Sequence, residues 1–230
     1  MVVSLKLGIM IIVVAQTLLI FMDESSGVNS YPCDSHDANI VDETNIMKVN
    51  LSVYYGSLCQ PCSTFIIKNL QEIFYNGLIN IINLQLVPWA NAYINNDTNN
   101  SIICQNGPDE CELNSVESCA INILNDVNKY YALIECLELL AIEKRQKNWE
   151  ECFNTLGLPN APILKCHNTG NGTELGRKHI NETALLHSPH TLLPVVVVNN
   201  KSIGKEYENF TSYVCNSYRG SSMPEACKHH

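Results

Sequence analysis

Val49-Asn50-Leu51-Ser52-Val53-Tyr54-Tyr55-Gly56-Ser57-Leu58-Cys59-Gln60-Pro61-Cys62 reads as a strand that runs out into a dithiol. Val49, Leu51, Val53 and Tyr55 recur with the period of two expected of a half-buried strand. From about Ser63 to Tyr75 the spacing changes to that of an amphipathic helix. A helix start directs unpaired backbone N–H groups and the positive end of the helix dipole at the Cys59 sulfur, which favours thiolate over thiol. Cys62, three residues on, can reach back to it. Gln60 and Pro61 form the loop between the two, and Pro61 removes a donor where a helix start has one to spare. A Cys-x-x-Cys pair alone also fits a zinc site or a structural bridge, so the surroundings decide.

Working outward, the helix ends at Gly77, a residue suited to a C-terminal cap. Ile82-Leu84-Leu86, interleaved with Asn83 and Gln85, is a second strand, so the unit is βαβ with parallel pairing. Val87-Pro88-Trp89 closes that strand, and residues 91–100 are a loop of turn residues. From Cys104 to about His187 the composition shifts to six cysteines and helical spacing, strongest at Val116, Ala120, Ile123, Leu124 and Val127. Leu192 to Val198 then reads as a buried strand, Asn199-Asn200 as a turn, Ser202-Ile203 as a short partner strand, and Glu206 to Tyr218 as a closing helix.

This order predicts an α/β thioredoxin-like fold with a cysteine-rich helical insertion after the second strand. The expected boundaries are 48–220 for the domain, about 104–187 for the insertion and 221–230 for a C-terminal tail. In that fold the proline opening the third strand is cis and lies against the dithiol. Pro194, preceded by Leu193, takes that place, where the backbone can pair with an extended substrate segment. A trans proline opening an edge strand is the alternative.

The N-terminus places an apolar run, Leu7 to Met22, ahead of Ser25-Ser26-Gly27, which reads as a signal peptide over 1–27 and, from 28 to 47, an irregular leader containing Cys33. A retained membrane anchor is the alternative, since the run approaches the ~17 residues needed to span a bilayer; no later segment is long and apolar enough. All 11 cysteines and the Asn-x-Ser/Thr sequons at Asn50, Asn96, Asn99, Asn171, Asn181, Asn200 and Asn209 follow it. Both features suit an oxidising, glycosylating compartment. Asn50, inside the first strand, can carry sugar only at an exposed strand end. Net charge is −9, with no basic cluster, which argues against nucleic-acid binding.

Cys104-Gln105-Asn106-Gly107-Pro108-Asp109-Glu110-Cys111-Glu112-Leu113-Asn114, followed by Cys119, closely resembles the signature of the gamma-interferon-inducible lysosomal thiol reductase family. In that signature Cys-Gln-His-Gly precedes Glu-Cys, Asn and Cys at these intervals. Asn106 departs from it, standing where the family usually has His; both hydrogen-bond, but only His would titrate. The likeness runs from about residue 48 to Cys227. It takes in Leu58 before Cys59, Leu86-Val87-Pro88, Asn91-Ala92, cysteines 136, 152 and 166, Pro194, and Val214-Cys215 with Cys227. The resemblance implies a reductase of protein disulfides in the lysosomal system, or its vacuolar or secreted equivalent, with Cys59 and Cys62 as its active site.

By position Cys59 attacks a substrate disulfide and Cys62 resolves the mixed disulfide, after which an external thiol reductant restores the pair. At lysosomal acidity a thiol of ordinary pKa ~8.5 is about one part in several thousand thiolate, so a lowered value is needed. No Lys, Arg or His stands beside the motif in sequence. The helix end and Gln60 must supply the shift, or a distant residue must fold in. Zinc is disfavoured because cysteines 104, 111 and 119 lack a second close pair, and no cofactor is called for. Histidines 167, 179, 187 and 190 are scattered, with His187 and His190 nearest Pro194.

The sequence also admits two rival functions. One is a disulfide oxidase or isomerase using the same dithiol, since sequence does not fix the reduction potential. The other is a saposin-like lipid-binding module in which every bridge is structural. Setting Cys59 and Cys62 aside leaves nine cysteines, so at least one lacks an intrachain structural partner. Cys33 is the candidate, available to link two chains. Cys215 and Cys227 are expected to pair, whereas cysteines 104, 111, 119, 136, 152 and 166 allow 15 connectivities.

Overall fold

In the computed structural model, residues 48–90, 92–95, 100–186 and 192–228 are described. The signal and leader segments, Cys33, Asn96, Asn99, His187 and His190 lie outside them. Strand β1 (Val49–Tyr54) leads to helix α1 (Gln60–Thr64), a π-helical stretch (Phe65–Leu70), α2 (Glu72–Tyr75) and β2 (Ile82–Val87). A hairpin of β3 (Tyr93–Asn95) and β4 (Ser101–Ile103) follows. The insertion then contributes α3 (Pro108–Leu124), α4 (Val127–Ile142), α5 (Glu151–Leu156), α6 (Ala161–Asn168) and α7 (Asn171–Leu186). Strands β5 (Val195–Val198) and β6 (Lys201–Ser202) and helix α8 (Phe210–Ser217) complete the chain.

The main sheet has the order β2-β1-β5-β6. β1 and β2 are parallel, with Val49 opposite Ile82 and Tyr54 opposite Val87; β5 runs antiparallel to β1 and to β6. Val49, Leu51 and Val53 are buried, whereas Asn50 is exposed, as the alternation requires. All four valines of β5 are buried because it is an interior strand covered on both faces.

Several boundaries differ from the sequence expectation. The first helix begins at Gln60 rather than near Ser63, with Cys59 as its N-cap and Pro61 in the first turn, where no N–H is missed. Residues 91–100 are not wholly loop: a three-residue strand carries too little alternation to stand out among asparagines. Regular pairing of the valine run starts at Val195, since Pro194 has no N–H to donate. The short partner strand is Lys201–Ser202, and the closing helix opens as a 3₁₀ stretch, Gly204–Asn209, before α8.

The insertion has its own apolar core of Leu113, Val116, Leu133, Leu137, Phe153 and Ile163. Helix α4 joins that core to the sheet: Tyr130, Tyr131 and Ile134 pack in the sheet core, while Leu133, Leu137 and Leu140 on the adjacent stripe face the insertion. Spent in this way, these residues do not form an open lipid face. Helix α7 lies hard against its neighbours. A Cβ on Gly172 would stand 2.3 Å from the Ser115 carbonyl oxygen, and one on Gly176 would stand 2.5 Å from the Trp89 ring.

Bridges Cys104–Cys111, Cys119–Cys166, Cys136–Cys152 and Cys215–Cys227 brace this arrangement. Cys119–Cys166 spans the largest separation, 47 residues. In the chain-entropy account a loop of that length is worth about 4 kcal/mol. The Cys119→Ala/Cys166→Ala protein is therefore expected to melt about 10 °C below the parent in a calorimetric scan, and a change under about 3 °C would remove the entropic account.

Candidate active site

The dithiol sits where β1 leaves the sheet. Tyr55 continues the ladder, its N–H donating to Val87 O at 3.0 Å and its carbonyl accepting from Ala90 N–H at 2.9 Å. The chain then turns: Cys59 N–H donates to Gly56 O at 3.0 Å, and Ser57 N–H and Oγ both donate to Asn114 Oδ1, at 3.1 and 2.7 Å. A Cβ on Gly56 would lie 2.7 Å from Glu110 Oε1, so a larger residue here would displace that carboxyl. Cys59 and Cys62 are joined as a disulfide with Cα atoms 5.2 Å apart. Cys62 N–H donates to Cys59 Sγ at 3.3 Å, so the helix start does point at that sulfur. Cys59 is half-buried and Cys62 fully buried, while Gln60 and Pro61 are exposed.

The peptide bond Leu193–Pro194 is cis. Tyr54 is opposite Val195 in the antiparallel pair. Extending that register sets Pro194 beside Tyr55 and Leu193 beside Gly56, at the sheet end from which the dithiol turn departs. A cleft of about 350 Å³ is lined by Leu58, Gln60, Ser63, Asn106, Ile142 and Lys144.

The model of the gamma interferon inducible lysosomal thiol reductase family matches residues 50–156. The gamma-interferon-responsive lysosomal thiol protein of Arabidopsis thaliana is 33% identical over 184 residues, covering 78% of this chain and 76% of the relative. The chain belongs to the gamma-interferon-inducible lysosomal thiol reductase family. It is a thiol-disulfide oxidoreductase, a protein-disulfide reductase. The mouse thiol reductase of that name is 29% identical over 212 residues, covering 90% of this chain and 84% of its own. Among solved structures, the thiol-disulfide oxidoreductase MdbA of Corynebacterium diphtheriae superposes with a TM-score of 0.55 at 12% identity, covering 76% of this chain and 86% of its own. DsbA of Chlamydia trachomatis gives 0.52 at 14%, covering 78% and 95%. These two likenesses concern the thioredoxin-like fold.

Within this thiol reductase the residues of the family signature support the dithiol turn from behind. Asn114 holds Ser57, and Asn106, in the place of the family histidine, donates from its backbone N–H and its Nδ2 to the two oxygens of Glu110, each at 2.8 Å. Among the described histidines, His167 contacts Ser115 Oγ at 3.0 Å, and His179 is half-buried on α7. Among the described residues no group of three or more His, Cys, Asp or Glu is arranged to hold a metal.

The sequence leaves the pKa shift to the helix end and Gln60 or to a distant residue folding in; the titratable groups the fold packs behind the dithiol turn are acids. Glu110, Glu117 and Glu138 are all buried. Glu117 accepts from Tyr55 Oη–H at 2.7 Å, and Glu138 is in a short hydrogen bond with Ser63, next to Cys62. None of the ion pairs among the described residues involves these three carboxyls. Burial pushes Glu117 up to about 8 and, together with the neighbouring Glu117, drives Glu138 well above the ordinary carboxylate range. Burial and Glu117 also raise the Tyr55 hydroxyl. At acidic pH both carboxyls are neutral acids, so they place no anion beneath the thiolate.

A signal for these acids existed in the sequence. Glu138 stands four residues after Ile134 and seven after Tyr131, and Glu117 four after Leu113 and three before Ala120. Each charge interrupts an apolar helical stripe, where ionisable groups are uncommon without a partner.

Proposed function

We propose that Cys59 and Cys62 are the reacting pair of this reductase, with Cys59 as nucleophile. The observation that carries this is the asymmetry of the pair. Cys59 is the more accessible sulfur and receives the helix N–H, whereas Cys62 is fully buried behind it. In the reduced enzyme the Cys59 thiolate attacks one sulfur of a substrate disulfide. That S–S bond breaks, the second substrate sulfur leaves with the electron pair and takes a proton, and a mixed disulfide forms. Cys62, losing its proton, attacks Cys59 Sγ, releases the substrate as a second thiol and leaves Cys59–Cys62 oxidised. Two equivalents of an external thiol return the pair to the dithiol.

The cis Leu193–Pro194 bond supports a substrate groove beside Cys59, in which an extended segment pairs with the Leu193 backbone and packs on Pro194. Gln60 and Pro61, exposed on the rim, meet the same segment. Disulfide-bonded proteins are the substrates. The signal-like residues 1–27 and the sequons support entry to the secretory pathway, with a lysosomal, vacuolar or extracellular destination. Asn50, Asn171, Asn181, Asn200 and Asn209 are all exposed and accessible to a glycan. Cys33 is left to link two chains.

Replacing Cys62 with Ser removes the resolving step. Cys62→Ser is expected to accumulate a covalent adduct with an added disulfide-bonded protein, seen as a slower band on a non-reducing gel and abolished by dithiothreitol. Cys59→Ser should give no such band. An adduct that forms in Cys59→Ser, or none in Cys62→Ser, overturns the assignment.

A further inference from the structure

Helix α4 runs beneath the dithiol turn and presents a carboxyl to it. Glu138 is fully buried, with Oε2 hydrogen-bonded to Ser63 Oγ and Oε1 without a partner. Ser63 Oγ also lies 3.3 Å from the carbonyl oxygen of Cys59. A serine hydroxyl has a single proton. It cannot serve a carboxylate and a carbonyl together, and both contacts are hydrogen bonds when Glu138 is an acid that donates to Ser63 while Ser63 donates to Cys59 O, which also accepts the Ser63 backbone N–H at 3.0 Å. The groups facing Glu138 agree with this. Among the described residues they are Glu117 and Glu110 from α3, Ser63 from α1 and Tyr55 at the end of β1, all acids or hydroxyls.

We propose that Glu138 is a positioning residue for thiol-disulfide exchange. A neutral acid supplied by the insertion, it fixes the Cys59 carbonyl through Ser63 and keeps negative charge from beneath the sulfur that must ionise. The inference rests on Cys59 being the nucleophile. Below the pH at which Glu138 ionises, the link is intact and the helix end acts on Cys59 unopposed. Above it, a carboxylate cannot donate to Ser63, and its charge disfavours a second anion nearby. Burial and Glu117 hold that ionisation well above the ordinary range, so acid is the working condition of the link.

The test is the rate of Cys59 alkylation by iodoacetamide in the reduced full-length protein, read by mass spectrometry from pH 4 to 9. Ser63→Ala and Glu138→Met are expected to react about tenfold more slowly than the parent below pH 6, the scale of one buried hydrogen bond. Glu138→Gln keeps a neutral donor, so it should stay within about threefold of the parent there. Once Glu138 of the parent has ionised, at the alkaline end of the range, Glu138→Gln should react faster than the parent, because it acquires no charge. Ser63→Ala, which removes one hydroxyl, carries the test if Glu138→Met does not fold. Parent-like rates in Ser63→Ala and Glu138→Met, or a Glu138→Gln protein as slow as Glu138→Met, overturn the proposal. If Cys59 of the parent is no more reactive at pH 5 than free cysteine, the assignment of the nucleophile itself fails instead.

Discussion

Cys59→Ser is expected to lose reductase turnover by on the order of a thousandfold or more, with no acidity at which it recovers. A serine hydroxyl stays protonated across the whole working range, and the helix end that stabilises a thiolate cannot make an alkoxide of it. The loss should be one of chemistry and not of folding. The Cys59–Cys62 bridge closes a loop with a sequence separation of 3, so in the chain-entropy account its removal costs only about 2 kcal/mol. The reduced parent, which lacks that bridge too, is the proper comparison, and the two should melt within a few degrees of each other. The measurement is the initial rate of reduction of a fluorescence-quenched disulfide substrate with a small thiol in excess. Turnover in Cys59→Ser within tenfold of the parent would refute the mechanism.

The second large effect concerns stability against pH. Glu117 has its folded value raised from 4.5 to about 8, so the folded protein keeps a proton that the unfolded chain releases. Its contribution is complete below about pH 4.5 and drains away as pH climbs toward 8. Over that window a fully buried group contributes on the order of 5 kcal/mol. Glu138, raised in the same direction, adds to it. His179, lowered by burial, works the other way, its share being present above its ordinary value and lost as pH falls. It is one half-buried group against two fully buried carboxyls. The oxidised protein is thus expected to melt highest near pH 5 and roughly 10 °C lower by pH 8.5, followed by circular dichroism. Glu117→Gln should flatten the curve. A melting temperature that is level or rises over this range, or an undiminished slope in Glu117→Gln, would contradict the burial of uncompensated acids.

How much of this was legible in the sequence depended on whether a residue's role shows in its neighbours along the chain. Strands β1 and β2 carry their period openly and β5 shows as an unbroken valine run, and the order of elements around them led to the thioredoxin-like fold. The dithiol was visible because its two cysteines and the helix start are adjacent in sequence. Disulfide connectivity was not, since Cys119 and Cys166 meet only when α3 and α6 pack together. Gly172 and Gly176 gave no warning that they are contact points, because their lack of a side chain acquires meaning only once Ser115 and Trp89 arrive. Glu117 and Glu138 left a trace, a charge on an apolar face, but that pattern is shared by surface helices with a snorkelling side chain. Only the tertiary structure shows that neither carboxyl reaches water.

The disposition of the bridges bears on how such an enzyme outlives its own surroundings. A catalyst recharged by free thiols is bathed in the reagent that cleaves disulfides. Each of the four bridges outside the dithiol has at least one cysteine shielded from solvent: Cys104 at 5% exposure, Cys119 and Cys152 at 0%, and Cys215 and Cys227 at 5% and 6%. An incoming thiolate needs an in-line approach to a sulfur, and at these positions the fold must first open locally to allow it. The partly accessible Cys59 is open to exchange with the fold closed, as are Cys111 and Cys136, so it is Cys119–Cys166 and Cys215–Cys227, buried at both ends, that stay oxidised while reductant restores the working pair.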